Sequence, residues 1–238
     1  MITASTQRNA LGQEIGFALP NWTPPLWPAR TTMQGRFCRL DPLDPDRHAP
    51  DLYSALSRDS TGALWTYLPY GPFPTLDSYR QWLRENATGE DPLFFAILDD
   101  ISGRAVGLAG YLRITPASGS IEVGHLQFAP ELQRTPLATE AMYLMMKRAF
   151  EMGYRRYEWK CDALNAKSRA AAERLGFLFE GIFRQATVVK GRNRDTAWYA
   201  IIGSEWRTLE MAFQRWLAPG NFEAAGGQLT RLSELRSR

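Results

Sequence analysis

At 238 residues, with 45% hydrophobic and 22% charged positions, the chain has the make-up of an ordinary soluble globular protein: one domain, with room for extensions. Lys and Arg number 28 against 25 Asp and Glu, and a net charge of +3 argues against a dedicated nucleic-acid binder with a dense basic face. No apolar run approaches the ~20 residues of a membrane span. The opening MITASTQRNALGQEIG lacks the charged-then-apolar layout of a signal peptide. Cys38 and Cys161 form no Cys-x-x-Cys pair, and with only His48 and His125 beside them neither a disulfide framework nor a metal site is expected. A cytoplasmic protein is the resulting expectation.

Residues 1–31 cluster Trp22, Pro24, Pro25, Leu26, Trp27 and Pro28, which reads as an extended arm whose aromatics pack on a domain. Thr32–Leu40 alternates loosely and predicts a first strand. Asp44 is placed to cap a helix that runs to about Leu56, with Pro45 in its first turn. Thr61–Phe73 has the Gly and Pro of a loop, yet carries Trp65, Tyr67, Tyr70 and Phe73. Such aromatics either seal a core edge or line a site. A second helix follows from about Thr75 to Asn86. Pro92–Leu98, Arg104–Ile114 and Ser120–Phe128 then read as an antiparallel meander joined by DDISG and TPASG turns.

Phe128–Ala141, FAPELQRTPLATEA, is the stretch around which the rest is arranged. Pro136 suits a first helical position, and Glu140 is expected in the first turn, on the favourable side of the helix dipole. Leu137, Ala141, Leu144, Met145 and Ala149 then recur at helical spacing up to about Met152, with Gly153 as the stop. The helix opening leaves the N–H groups of Leu137, Ala138 and Thr139 without backbone partners, with Arg134 just upstream. Free donors, a positive dipole end and a guanidinium together make a candidate phosphate site. Tyr154–Cys161 reads as the next strand. Asn165 then caps a short helix that Gly176 ends in a left-handed conformation. Lys167 and Arg169 stand in that helix's first turn, where positive charge opposes the dipole unless an anion is bound. Two strand-to-helix junctions equipped for anions point to one ligand with several phosphates. Phe177–Val188 and Thr196–Ile202 form a last hairpin around KGRNRD. Ser204 then caps an amphipathic helix carrying Trp206, Leu209, Phe213, Trp216 and Leu217. The tail from Ala218 to Arg238 packs on the domain or against another chain; a homodimer is one expectation.

Three segments resemble the GNAT superfamily of acyl-CoA N-acyltransferases, in its RimJ/RimL-like branch. Gln133–Ala138 resembles the superfamily's Gln/Arg-x-x-Gly-x-Gly/Ala loop at Gln133 and Ala138, with Pro136 where Gly is usual. Asn165–Gly181 resembles the branch's Asn-x-x-Ser…Leu-Gly-Phe…Glu-Gly segment. Ile121–Phe128 resembles its Glu-(Ile/Leu)-Gly-Tyr strand, with His125 in the aromatic's place. The similarity runs from about Thr32 to Glu205.

The resemblance implies an α/β (α+β) GNAT fold: a mostly antiparallel central sheet, helices on both faces, and a splayed strand pair that holds acyl-CoA. The domains expected are an arm at 1–31, an N-acetyltransferase domain at 32–205 and a helical extension at 206–238. Acetyl-CoA is the implied acyl donor. Leu126 and Phe128 would bind its pantetheine arm through backbone groups. Gln133, Arg134, Leu137, Ala138 and Thr139 would hold the pyrophosphate, with Asn165, Ser168 and Arg169 on the second helix. Amine acetylation needs a neutral amine, a polarised thioester carbonyl and a route for a proton to the departing thiolate. Glu122 and His125 are the candidate bases, on opposite faces of one strand by its period of two. Glu122, which matches a Glu common at this point of the branch, is the favoured one, acting through water and also contacting the amine. Its other reading is a strand carboxylate paired to an Arg. Ser168 is the candidate acid. Trp65, Tyr67 and Tyr70 would form a wall of the acceptor cleft. The acceptor implied is a protein N-terminal α-amine or a small-molecule amine. A non-catalytic acyl-CoA-binding sensor or scaffold is the alternative, supported by the departures at Pro136 and His125.

Overall fold

A computed structural model describes residues 6–223 and 226–236. The ends of the N-terminal arm and of the C-terminal extension, residues 1–5, 224–225 and 237–238, lie outside the described residues.

The arm opens with a two-stranded hairpin, β1 (Thr6–Arg8) and β2 (Glu14–Gly16), which the sequence reading did not anticipate. Beyond it the arm lies on the domain. Pro25 and Pro28 are buried, and the Tyr154 hydroxyl donates to the Leu26 carbonyl at 3.2 Å. Arg148 holds the carbonyl of Thr32 at 2.8 Å, while Trp27 stays exposed.

The expected first strand is two short ones, β3 (Met33–Gln34) and β4 (Cys38–Pro42), paired across a tight turn. Helix α1 (Pro45–Leu56) is capped by Asp44, whose side chain accepts from the N–H groups of Asp46 and Arg47. Helix α2 (Leu76–Asn86) starts with a reciprocal capping box between Thr75 and Ser78. Strands β5 (Leu93–Asp99), β6 (Ala105–Thr115) and β7 (Ser120–Phe128) form the meander. Helix α3 (Pro136–Glu151) crosses over to β8 (Arg156–Asp162). Helix α4 (Ala166–Leu175) has Asn165 as its N-cap and Gly176 at φ 101° after its end, as expected. The final hairpin is longer than expected: β9 (Leu178–Val189) and β10 (Arg192–Ile202) turn at Lys190–Gly191, so Arg192–Asp195 belong to a strand. Helix α5 (Gly203–Leu217) places Ser204 inside its first turn. The N-cap position is Ile202, whose N–H is held by Glu205 at 3.0 Å. A short helix, α6 (Leu232–Arg236), ends the described chain.

Eight strands form one sheet in the order β3-β4-β5-β6-β7-β8-β10-β9, and only β7 and β8 are parallel. Helices α1 and α2 cover one face over β4–β6, around Leu52, Tyr79, Leu83, Phe94 and Leu108. Helices α3, α4, α5 and α6 fill the other around Met142, Met145, Tyr157, Phe177, Phe213 and Leu232. The tail therefore packs on its own domain, through Leu232.

Glu140 corrects the sequence reading. It is the fifth residue of α3, past the first turn, and its buried carboxylate faces the β3–β4 turn. There it accepts from the N–H groups of Arg36, Phe37 and Cys38 at 2.9, 2.6 and 2.9 Å. A carboxylate ringed by three backbone donors bolts the crossover helix to the sheet edge. Glu140→Ala strands those donors and should cost about 3 kcal/mol of stability, with Glu140→Gln losing less. Urea unfolding monitored by tryptophan fluorescence measures both.

Candidate active site

β7 and β8 pair only from Ser120–Arg156 to Val123–Trp159, and then part. Past that rung β7 still pairs with β6, so half of its backbone groups face a gap. Ala129 N–H bonds the Val106 carbonyl at 3.2 Å. By the alternation of an antiparallel ladder, Gln127 is then the residue bonded to β6, and Leu126 and Phe128 direct their N–H and C=O into the gap. The Phe128 carbonyl accepts the Gln133 side-chain amide at 2.9 Å. Leu126 and Phe128 thus line the gap side of β7.

One extra residue sits in β7 between the rungs Gly110–Gly124 and Leu108–Gln127. It is accommodated at His125, whose φ is +53°, a left-handed conformation uncommon outside glycine. This bulge breaks the period of two. His125 was expected on the face opposite Glu122. Instead its ring lies 5.2 Å from that of Phe94, on the α1–α2 side. Gly124 and Glu122 share that side, since a Cβ on Gly124 would stand 3.6 Å from Glu122 Oε1.

The His125 ring belongs to a buried relay. Tyr79 OH donates to Gln127 Oε1 at 2.8 Å, and Gln127 Nε2 donates to Tyr70 OH at 3.3 Å. Tyr70 OH stands 3.0 Å from His125 Nδ1. With its oxygen already accepting, Tyr70 gives its proton to Nδ1, which leaves the neutral imidazole protonated at Nε2. Burial, then the nearby Arg113 and Arg194 charges, push the His125 pKa down to about 4. Burial raises the Tyr70 phenol.

Glu122 is 2% exposed, and both its oxygens are engaged. Arg113 binds it in a fork at 2.7 and 2.8 Å, and Lys160 Nζ approaches at 3.1 Å. Lys160 also pairs with Glu158 at 2.7 Å and sits 3.5 Å over the Trp198 ring. Arg156 continues the row between Glu158 and Glu180. Arg113 and Lys160 escaped the sequence reading; only the Glu158-x-Lys160 alternation on one strand face hinted at them.

The aromatic loop closes this face. Trp65 is buried against Tyr70 and Phe73, so its ring is part of the core edge rather than an open surface. Gly71, at φ +66°, lies where any Cβ would enter that ring. Tyr67 OH donates to the Leu164 carbonyl at 3.2 Å, and Lys190 Nζ at the β9–β10 turn donates to the Trp65 carbonyl at 2.7 Å. Both latches come from the β8 side, while Tyr70 meets His125 on β7, so the loop bridges the parted strands.

At the opening of α3 the expected donors are mostly taken. Thr135 caps the helix: its Oγ1 accepts from Ala138 N–H at 3.1 Å, and its carbonyl accepts from Thr139 N–H at 3.3 Å. Among the described residues only Leu137 of the three keeps a free N–H, beside exposed Arg134 at φ +63°. On α4, Asn165 Oδ1 accepts from Ser168 N–H at 3.1 Å. Trp159 Nε1 donates to Ser168 Oγ at 3.0 Å, and the Ser168 hydroxyl lies in hydrogen-bonding range of the Cys161 thiol. Arg169 is turned to Tyr199 OH at 3.0 Å, away from the α3 opening.

A parted parallel strand pair, with a bulge on one strand and a helix start beyond each, is the arrangement of a GNAT acetyltransferase fold. A family model described as the Acetyltransferase (GNAT) domain matches residues 38–178, and the chain belongs to that family. A GCN5-related N-acetyltransferase from Brucella melitensis is 47% identical, with a TM-score of 0.90 over 92% of this chain and 100% of that one. A probable GNAT acetyltransferase from Chromobacterium violaceum ATCC 12472 is 42% identical, with a TM-score of 0.76 over 81% of this chain and 96% of that one. A curated Bacillus subtilis (strain 168) protein named "Putative ribosomal N-acetyltransferase YdaF" is 28% identical over 70% of this chain and 90% of its own length.

His125 also makes the fold acid-sensitive. Its folded pKa of about 4 lies below the unfolded value near 6.5, so its contribution is complete above pH 6.5 and is lost as pH falls towards 4. The loss should be on the order of 2 kcal/mol after discounting for partial exposure. Denaturant unfolding at pH 7 and pH 4.5 should show it in the wild type and show it reduced in His125→Phe.

Proposed function

We propose that the protein acetylates a primary amine with acetyl-CoA by direct attack, with no acyl-enzyme. The observation that carries this is the gap past Val123–Trp159, into which Leu126 and Phe128 turn their backbone groups. Bound acetyl-CoA supplies an electrophilic thioester and a thiolate leaving group. Leu126 and Phe128 hold the pantetheine arm along β7. Gln133, Arg134 and the N–H of Leu137 take the pyrophosphate. Ala138 and Thr139 shape that turn through bonds already made to Thr135. Pro136 removes a donor that a glycine would offer, and the free Leu137 N–H is the next along the turn. Asn165 and Ser168 face the pantetheine from α4, with Arg169 behind them.

The cleft offers no strong base. Glu122 is a carboxylate stabilised by two cations, so we assign it to holding Arg113 and Lys160 in place, with any proton taken from the amine passing through water. His125, neutral and protonated at Nε2, gives a hydrogen-bond donor beside the bulge. The amine therefore enters already neutral. Ser168 gives its proton towards the thiolate, since Trp159 occupies its oxygen.

The acceptor is a slender amine, at a protein N-terminus or on a small molecule, because the loop latched by Tyr67 and Lys190 narrows the approach. The curated relative's name, which speaks of ribosomal acetylation, favours the RimJ/RimL-like branch. A cytoplasmic location fits two buried free cysteines, Cys38 and Cys161.

Thiol release from acetyl-CoA against a panel of amines, amino-acid conjugates and N-terminal peptides tests the reading. Amine-dependent release is expected. Tight acetyl-CoA binding by calorimetry with no release from the panel would favour the sensor alternative instead. For an active amine, kcat/KM should rise with unit slope up to the acceptor's own pKa; a plateau near pH 6–7 would assign a protein base. Ser168→Ala should lower kcat about tenfold, below the usual range of general-acid effects, because a CoA thiolate is not a very strong base.

A further inference from the structure

Arg194 lies on β10 two residues beyond Thr196, whose partner Asp162 ends the pairing of β10 with β8. The register irregularity between Arg194 and Thr196 is carried by extra residues on β9, so β10 keeps its period of two and Arg194 shares a face with Thr196 and Trp198. Trp198 stands opposite Lys160, so this is the Glu122–Lys160 face, lying on the far side of the sheet from α3 and α4. The acceptor must approach from there if the phosphates lie at the α3 opening.

Arg194 has a buried Nε with no hydrogen-bond partner, and Trp198 Nε1 on the same face is orphaned in the same way. The neighbouring charges are satisfied elsewhere. Arg113 and Lys160 are held by Glu122 and Glu158, and Lys190 by the Trp65 carbonyl. Asp195 accepts from Gln185 N–H and Asn193 Nδ2, Asp162 from Leu164 N–H, and Asp91 from the N–H groups of Arg113 and Ile114. Among the described residues no carboxylate pairs with Arg194. A guanidinium partly withdrawn from water without a counter-ion is costly unless a ligand supplies one. Its charge reaches both banks of the parted strands, since it acts on His125 of β7 and on Cys161 of β8.

We propose that Arg194 is a specificity-determining residue that binds an anionic group, carboxylate or phosphate, on the amine acceptor while the amine reaches the gap. The planar fork of donors suits either group, and the Trp198 indole N–H offers a further donor on the same face. This inference rests on the acetyl-transfer reading above, because it assigns the other end of that reaction's acceptor.

Two assays test it separately from that reading. In the first, thiol release is followed with ω-amino acids of increasing length against their amides, and with 2-aminoethyl phosphate against ethanolamine. The best anionic acceptor should exceed its neutral counterpart at least tenfold in kcat/KM, mostly through KM. Arg194→Gln should bring that ratio to within about threefold, and Arg194→Lys should restore part of it. The arm with the larger ratio identifies the anion. In the second, without turnover, N-acetyl-β-alanine and its amide are titrated into the CoA-loaded protein with tryptophan fluorescence as the readout. Wild type should bind the acid more tightly, and Arg194→Gln should bind both alike. Equal preference for acid and amide in wild type, or a preference that survives in a folded Arg194→Gln protein, would overturn the assignment. Failure of CoA itself to bind by calorimetry would overturn the transferase reading, and this proposal with it.

Discussion

The parting of two parallel strands in the middle of a continuous sheet is the constraint on which the rest of the molecule turns. Backbone donors and acceptors left facing a gap are costly unless something meets them. On β7 the cost is limited to a few residues. Pairing with β8 holds through Val123, and pairing with β6 resumes past the bulge at Gln127. The His125 conformation is what permits this. One residue with φ near +53° absorbs the extra length, tightens the local twist and lets β7 turn from β8 without losing β6. Each parted strand then leads into a loop and a helix capped by its own side chain, Thr135 for α3 and Asn165 for α4. Both helices stack on the same face, so the gap is backed by helices on one side, while on the other only the latched aromatic loop narrows it.

The open side is floored by charge rather than by hydrocarbon. Arg113, Glu122, Lys160, Glu158, Arg156 and Glu180 alternate in sign across β6, β7, β8 and β9. A row of this kind is polar enough to stay wet beside an unpaired backbone, yet each member is neutralised by its neighbours. None is left free to act as a strong acid or base. The same arithmetic isolates Arg194 at the end of the face, where its buried Nε has no hydrogen-bond partner among the described residues. The face thus has two parts, a charge-balanced row and an unbalanced cation at its end.

Much of this was legible from local sequence, because helix starts and turns are local events. Asp44, Thr75 and Asn165 announce their helices through side chains that reach only two or three residues ahead. The resemblance singles out β7, and on that strand Leu126 and Phe128 are the residues that turn their backbone groups to the gap. What escaped was non-local. Glu140 looked like a dipole partner, but its carboxylate serves a turn about a hundred residues earlier in the chain. The sequence around His125 marks a bulge only weakly, since histidine is enriched at positive φ but rarely adopts it. The whole face assignment of Glu122 against His125 followed from that one omission. The donors of Ala138 and Thr139 read as free from local spacing, but Thr135, one residue before the proline, takes both, through its Oγ1 and its carbonyl. Arg194 was hidden in a presumed turn, since RNRD reads as loop chemistry while β9 and β10 carry on pairing through it.

The C-terminal helices show why a family match and a folding unit need not share a boundary. The matched region ends at residue 178, before β10 and α5. Yet Trp206 and Phe213 of α5 stack on Tyr143 of α3, and Leu232 of α6 is buried in the same cluster. Without them the outer face of α3 would expose its aromatics, and α3 is the helix whose start faces the gap and whose Glu140 holds the sheet edge. The position of the α3 opening therefore depends on packing contributed from beyond the matched region. Removing α5 would unseat that opening together with the core, because burial of one helix face is what fixes the geometry at its end.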